Sequence, residues 1–216
     1  MAPTGAYTDN VVDPVVPLPS RSPDLGTRAV LVPIKAFHEA KGRLGLALSG
    51  SERSELARAM AARVLDAALP LPVAVVCDDT DVADWARDRG ALVIWEPGRG
   101  LNVAVEAGVD HLRDAGVEHV IVSHADLPMA SGLMAVGNAP GITLVPDRFR
   151  NGTNVIALPS NAGFRFSYGP GSFERHQQEA ERLGLAMRIL DLPDLAWDID
   201  EPADVVPVAA LGTTAP

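Results

Sequence analysis

Cysteine, lysine, aromatic residues and net positive charge are all scarce in this 216-residue chain, and each scarcity narrows its chemistry. The single cysteine, Cys77, forbids an internal disulfide and fits a reducing cytoplasm, the expected location. It lies in the apolar run 73–77 and reads as a core residue. With a formal net charge of -10, the chain is poorly suited to nucleic acid or an anionic membrane, either of which calls for a basic face. No apolar run approaches the roughly 18 residues of a membrane span. Residues 1–27 lack the basic start and apolar stretch of a secretory signal. Their acidic, proline-rich composition reads as a disordered extension, and residues 208–216 as a tail.

What remains is a hydrophobic content of 47%, enough to build the core of one sizeable domain over residues 28–207. Short apolar runs at 28–33, 73–77, 91–95, 120–122, 142–145, 154–158 and 185–190 read as strands. Between them, helical patterns are expected at about 51–68, 79–89, 101–115, 129–136 and 171–183. Ser49 followed by Glu52 has capping-box spacing, and Gly90, Gly116 and Gly184 stand where helices should stop. Strands alternating with helices predict an α/β fold, with a mostly parallel sheet in a three-layer sandwich.

The central stretch is residues 120–128, in which a β-branched run ends in Ala125-Asp126-Leu127-Pro128. Ligands of open α/β sheets sit outside the carboxyl ends of the strands, so Asp126 is placed to hold a metal ion. Of the 18 lysines and arginines, only Lys35 and Lys41 are lysine, and both fall in the segment after the first strand. A compact ammonium suits phosphate as a point charge. Asp198 and Asp200, two apart on an extended segment, project to one side and repel each other unless a cation intervenes. With Asp126 they make a candidate Mg²⁺ site, since magnesium takes one or two carboxylates plus substrate phosphates. The glycine-rich run before Ser172 opens a helix whose free amides suit an anion.

Taken in order, six motifs resemble the CofC/FbiD guanylyltransferases, which make an activated phospho-acid for coenzyme F-420. They are Pro33-x-Lys35 with Ala40-Lys41-x-Arg43-Leu44; Gly100-Leu101-Asn102; Ala125-Asp126-Leu127-Pro128; and Asp147-Arg148 with Gly152-Thr153. Gly169-Pro170-x-Ser172 with Arg175-His176, and Asp198-x-Asp200-x-Pro202-x-Asp204, complete the series. The resemblance covers about residues 28–207. It implies a Rossmann-like domain of the nucleotide-diphospho-sugar transferase type. It also implies that Lys35, Lys41 and Arg43 face the GTP phosphates near Pro33, and that Gly98, Leu101 and Asn102 lie near the nucleoside. Asp126 and Asp200 would be the ligands of two Mg²⁺ ions, with Asp198 close by. Thr153, Gly169 and Ser172 would hold the carboxylate of the acceptor.

The first loop departs from the sugar-nucleotide relatives in lacking their glycine-rich signature, and His124 precedes the Ala-Asp-Leu-Pro run. Phosphoenolpyruvate is the expected acceptor, with 2-phospho-L-lactate and 3-phosphoglycerate as alternatives. The expected partners are GTP, that phospho-acid and the next enzyme of the route, with a homodimer left open. Rival readings are a sugar-phosphate or molybdopterin-type nucleotidyltransferase, a GT-A glycosyltransferase using Asp198-Ile199-Asp200, and a nucleotide-binding protein without turnover. The glycosyltransferase reading is disfavoured because its Asp-x-Asp sits mid-chain, not near the C-terminus.

Overall fold

A computed structural model describes residues 25–204. The chain alternates β1 (Arg28–Pro33), α1 (Gly50–Ala68), β2 (Val73–Cys77), α2 (Thr80–Asp88), β3 (Leu92–Trp95), α3 (Gly100–Asp114) and β4 (His119–Ser123). It continues with the short α4 (Leu133–Val136), β5 (Ile142–Pro146), β6 (Thr153–Pro159), α5 (Ser172–Arg182), β7 (Met187–Ile189) and the short α6 (Pro193–Ala196). The seven strands form one sheet in the order β3-β2-β1-β4-β6-β5-β7. Of these, β6 alone is reversed, pairing antiparallel with β4 and β5, while the β1–β2, β1–β4, β2–β3 and β5–β7 pairs are parallel. The expected three-layer, mostly parallel α/β domain is therefore what the chain forms.

Period-two alternation sorts the strand side chains into two cores. Val30 and Val32 of β1 pack with Ala61 and Val64 of α1, whereas Ala29 and Leu31 pack with Val105, Val109 and Leu112 of α3. Helix α1 starts where its capping box predicts: Ser49 Oγ accepts from Glu52 N, and Glu52 Oε2 accepts from Ser49 N at 2.8 Å. At Gly108 a Cβ would stand 2.7 Å from Leu31 Cδ2, so this glycine lets α3 lie directly on β1. The parallel start of β7 needs another: Gly141 has φ +82°, and a Cβ there would lie 2.2 Å from the Ala186 carbonyl oxygen.

Four details differ from the sequence expectation. The ordered domain begins before residue 28: Leu25 is buried, and the Thr27 carbonyl accepts from Glu118 N and His119 N. These contacts tie residues 25–27 to the start of β4, whereas 1–24 lie outside the described residues, as do 205–216 with the expected tail. The polar segment after β1 is shaped as two 3-10 turns, Phe37–Glu39 and Gly42–Leu46. Helix α4 begins four residues later than its apolar pattern suggests. Strand β7 keeps only the three residues that find partners on β5.

Candidate active site

The carboxyl ends of β1 and β4 lie side by side because the two strands pair in parallel register, Val30 opposite Ile121 and Leu31 opposite Val122. Past them, the chain after β1 and the chain after β4 wall a cleft of about 260 Å³ lined by Pro33, Lys35, Lys41, Leu101, His124 and Asp126, among others. A second, smaller cleft of about 70 Å³ shares Pro33, Ile34, Lys35 and Leu101 with it and runs toward the ends of β2 and β3.

The centre of the first cleft is a charge cluster. Lys41 Nζ donates to Asp126 Oδ2 at 2.6 Å and to Asp200 Oδ1 at 3.3 Å, with only 10% of its side chain exposed. Residues 85 and 159 positions away thus meet on one ammonium. The turn that presents it is left-handed at Lys41 itself, φ 57°, a conformation uncommon outside glycine. Burial disfavours the Lys41 charge, but the carboxylates of Asp126 and then Asp200 outweigh it and raise its pKa. Burial likewise works against the Asp126 carboxylate, and Lys41 beside it prevails, lowering its pKa. Asp198 moves the other way. Burial, then the negative charges of Asp126 and Asp200, push its carboxyl above the usual carboxylate range.

The acidic segment is fixed by Arg148, in the turn after β5. Its Nη1 donates to the Asp198 carbonyl at 3.0 Å, its Nη2 bonds Asp204 Oδ1, and its guanidinium lies 4.3 Å over the Trp197 ring. Asp204 Oδ2 in turn accepts from the backbone amides of Asp200 (2.9 Å) and Glu201 (2.7 Å). A weak bond of 3.4 Å from Ile199 N to the Asp126 carbonyl joins this segment to the end of β4. Asp198 and Asp200 are thereby held beside Asp126 despite mutual repulsion.

Two carboxylates share the one ammonium, and the third, Asp198, has Arg148 Nη1 at 3.8 Å from its Oδ1. Asp126 Oδ1 is buried without a hydrogen-bond partner. Such an all-oxygen donor set fits Mg²⁺, a hard cation. As arranged here, no three acidic, histidine or cysteine side chains among the described residues converge on one point, and Lys41 stands between two of them.

The other expected site residues divide. Pro33, Lys35 and Leu101 line both clefts, and Lys35 is exposed with no ion pair among the described residues. Gly98 lies exposed at the small cleft's rim, its amide 3.4 Å from Asp78 Oδ2. Arg43 is exposed, lines neither cleft and makes no ion pair among the described residues. Asn102 Oδ1 accepts from Tyr168 N at 2.7 Å, fastening α3 to the loop before α5.

Thr153 and Ser172 are brought together, but inside the wall, at 1% and 2% exposure. The Thr153 amide donates to Ser172 Oγ at 3.2 Å, and Ser172 N donates to the Gly169 carbonyl at 2.9 Å. Gly169 alone of the three is exposed, at φ +116°.

His176, buried on α5, organises this wall. Ser167 N donates to its Nε2 at 3.0 Å, so Nδ1 carries the proton and donates to Thr153 Oγ1, also at 3.0 Å. Phe164, Phe166 and Tyr168 pack around its ring. Burial, then the Arg175 charge, lower its pKa to about 4. Because the unfolded chain binds this proton more readily, its contribution to stability is complete above about pH 6.5 and is lost as pH falls toward 4. At most about 3 kcal/mol is involved, since one unit is 1.36 kcal/mol. Melting temperature should therefore drop between pH 6.5 and 4, with a shallower slope in His176→Asn. An unchanged slope in that variant would show that other groups set it.

Sequence reasoning had assigned no role to His124, Arg148 or His176. Arg148 could not be recognised as a clamp because its partners lie 50 and 56 residues away. His124 lines the main cleft, its ring 4.9 Å from that of Tyr168.

Comparison with known proteins matches the chain to a family. Residues 28–214 match the family model described as guanylyl transferase CofC like. The phosphoenolpyruvate guanylyltransferase of Sphaerobacter thermophilus is 36% identical over 197 residues, 85% of this chain and 93% of that protein. The phosphoenolpyruvate guanylyltransferase of Rubrobacter xylanophilus is 36% identical over 191 residues, 84% of this chain and 93% of that protein. In fold, the chain resembles a protein of Desulfovibrio desulfuricans G20 described as a nucleotide-diphospho-sugar transferase, with a TM-score of 0.69 at 15% identity over 88% of this chain and 89% of that one. Family match and relatives alike span most of the chain, the cleft included, and the chain belongs to the CofC-like guanylyl transferase family.

Proposed function

We propose that this guanylyl transferase moves GMP from Mg²⁺-GTP onto the phosphate of phosphoenolpyruvate, releasing pyrophosphate, as a step toward coenzyme F-420. The observation that carries the reading is the Lys41 ammonium held between Asp126 and Asp200 in the cleft beyond β1 and β4. The relatives' shared name supports the acceptor. Both substrates are multiply anionic, so positioning and charge neutralisation are the main tasks. One phosphate oxygen of the acceptor attacks the α-phosphorus of GTP, the bond to the bridging oxygen breaks, and that oxygen leaves with pyrophosphate. The attacking phosphate is ionised near neutral pH, so no general base is needed.

Asp126, Asp198 and Asp200 would hold Mg²⁺. When bound, the metal offsets charge on the reacting phosphate oxygens. Lys41, which neutralises Asp126 and Asp200 here, would then turn to the phosphates, joined by Lys35, which has no ion pair among the described residues. The wall of Thr153, Gly169 and Ser172, set by His176, would shape the acceptor side through the Gly169 region, with the two buried hydroxyls acting as its frame.

Purified protein given Mg²⁺-GTP and each acid in turn should release pyrophosphate fastest with phosphoenolpyruvate, the labile product being trapped by the enzyme that consumes it. Phosphoenolpyruvate and 2-phospho-L-lactate differ only in saturation of the C2–C3 bond, so the preference should be on the order of 10- to 100-fold. A preference for 2-phospho-L-lactate or 3-phosphoglycerate would overturn the acceptor assignment and leave guanylyl transfer standing.

A further inference from the structure

The small cleft at the ends of β2 and β3 opens from the same Pro33–Lys35 wall and Leu101 as the main cleft. Beyond that shared wall its lining is Val76, Cys77, Asp78, Glu96, Gly100 and Ala104. It is thus an apolar slot with two carboxylates at its far side. Glu96 is placed with little freedom, because its amide donates to the Cys77 carbonyl at 3.0 Å, extending the β2–β3 pairing. Its side chain is only 24% exposed but accepts no hydrogen bond among the described residues, the nearest cation being Arg99 Nη1 at 3.9 Å. Asp78, by contrast, is exposed and faces the Gly98 amide. A partly exposed carboxylate with open acceptor positions, at the end of an apolar slot, is placed to receive a ligand bearing donors.

Among the nucleobases, guanine alone presents two adjacent donors, N1–H and the 2-amino group, that one carboxylate can accept together. Adenine offers an acceptor at N1, which a carboxylate repels. Hypoxanthine keeps N1–H and lacks the 2-amino group. We propose that Glu96 is the residue that selects guanine, reading N1–H and the 2-amino group of a base seated in the slot between the ends of β2 and β3. The inference rests on the guanylyl-transfer reading, since Lys35, common to both clefts, would meet the phosphates of that same nucleotide. A base in the slot lies against Val76, Leu101 and Ala104, which supply apolar contact without base identity.

The test measures pyrophosphate release with GTP, ITP and ATP at one acceptor concentration, on wild type, Glu96→Gln and Glu96→Ala, with direct nucleotide binding alongside. Wild type should favour GTP over ITP by about tenfold or more, the worth of one hydrogen bond to a charged group. In Glu96→Ala the ratio should fall to about one and the disadvantage of ATP should shrink. Glu96→Gln, which preserves shape, should lose GTP affinity by about tenfold and serves if the alanine variant folds poorly. A uniform loss across all three nucleotides would mean that Glu96 meets the ribose or supports the loop, which overturns the inference. Collapse of the ratio in Asp78→Asn, with Glu96→Ala unaffected, would overturn it too. If wild type itself shows no preference for GTP over ATP, the guanylyl-transfer reading fails first, and the two failures are told apart.

Discussion

Asp126→Asn should lower the rate of pyrophosphate release by on the order of 10³-fold or more while leaving the fold intact. The side chain keeps its size, so packing at the end of β4 is unchanged. What is lost is the charge that Lys41 Nζ meets at 2.6 Å and the oxygen, Oδ1, left buried without a partner. An amide offers Mg²⁺ one weak oxygen instead of an anionic pair, and about 4 kcal/mol of barrier corresponds to that factor. Circular dichroism and thermal melting should show a folded protein. Mg²⁺ binding in the presence of GTP should weaken in parallel with the rate. Retention of more than about a tenth of wild-type activity, under about 1.4 kcal/mol, would remove Asp126 from the metal-binding role.

Lys41→Ala should cut turnover by on the order of 10²-fold, the usual cost of removing one preorganised charge from a transition state. Arg87→Ala, which removes an exposed guanidinium paired with Asp84 on α2, should change it by less than twofold. A second readout separates charge from packing. With its ammonium gone, Asp126 and Asp200 lose the cation that neutralises them, so Mg²⁺ should bind the nucleotide-free Lys41→Ala protein more tightly than wild type. Tighter metal with slower turnover is the signature of a lysine that holds the carboxylates at rest and serves phosphate during reaction. Equal effects of Lys41→Ala and Arg87→Ala would sink the assignment.

The sequence by itself determined the fold class and most of its elements, because those depend on local pattern. Apolar runs of four to six residues and a Ser49–Glu52 capping box are readable without neighbours, and α1, β2 and β6 stand within a residue or two of expectation. Asp126 was legible for the same reason: a carboxylate just past a buried β-branched strand can scarcely be elsewhere than at the sheet's carboxyl edge. The pairing of Lys35 and Lys41 after β1 was visible from composition alone.

Tertiary structure decided which charges meet. Lys41 and Asp200 are separated by 159 positions, and only the β1–β4 pairing and the Arg148–Asp204 clamp bring them together. Thr153, Ser172 and Asn102 belong to the right neighbourhood by motif, but their side chains bond to the wall's own backbone and to His176. Whether a polar side chain faces a ligand or satisfies a buried neighbour depends on unpaired groups contributed by distant segments, and no local pattern encodes that. The reversed strand β6 arose in the same way, from the turn that Asp147 closes by accepting from the Phe149, Asn151 and Gly152 amides. That turn brings Thr153 to the end of the sheet where β1 and β4 finish.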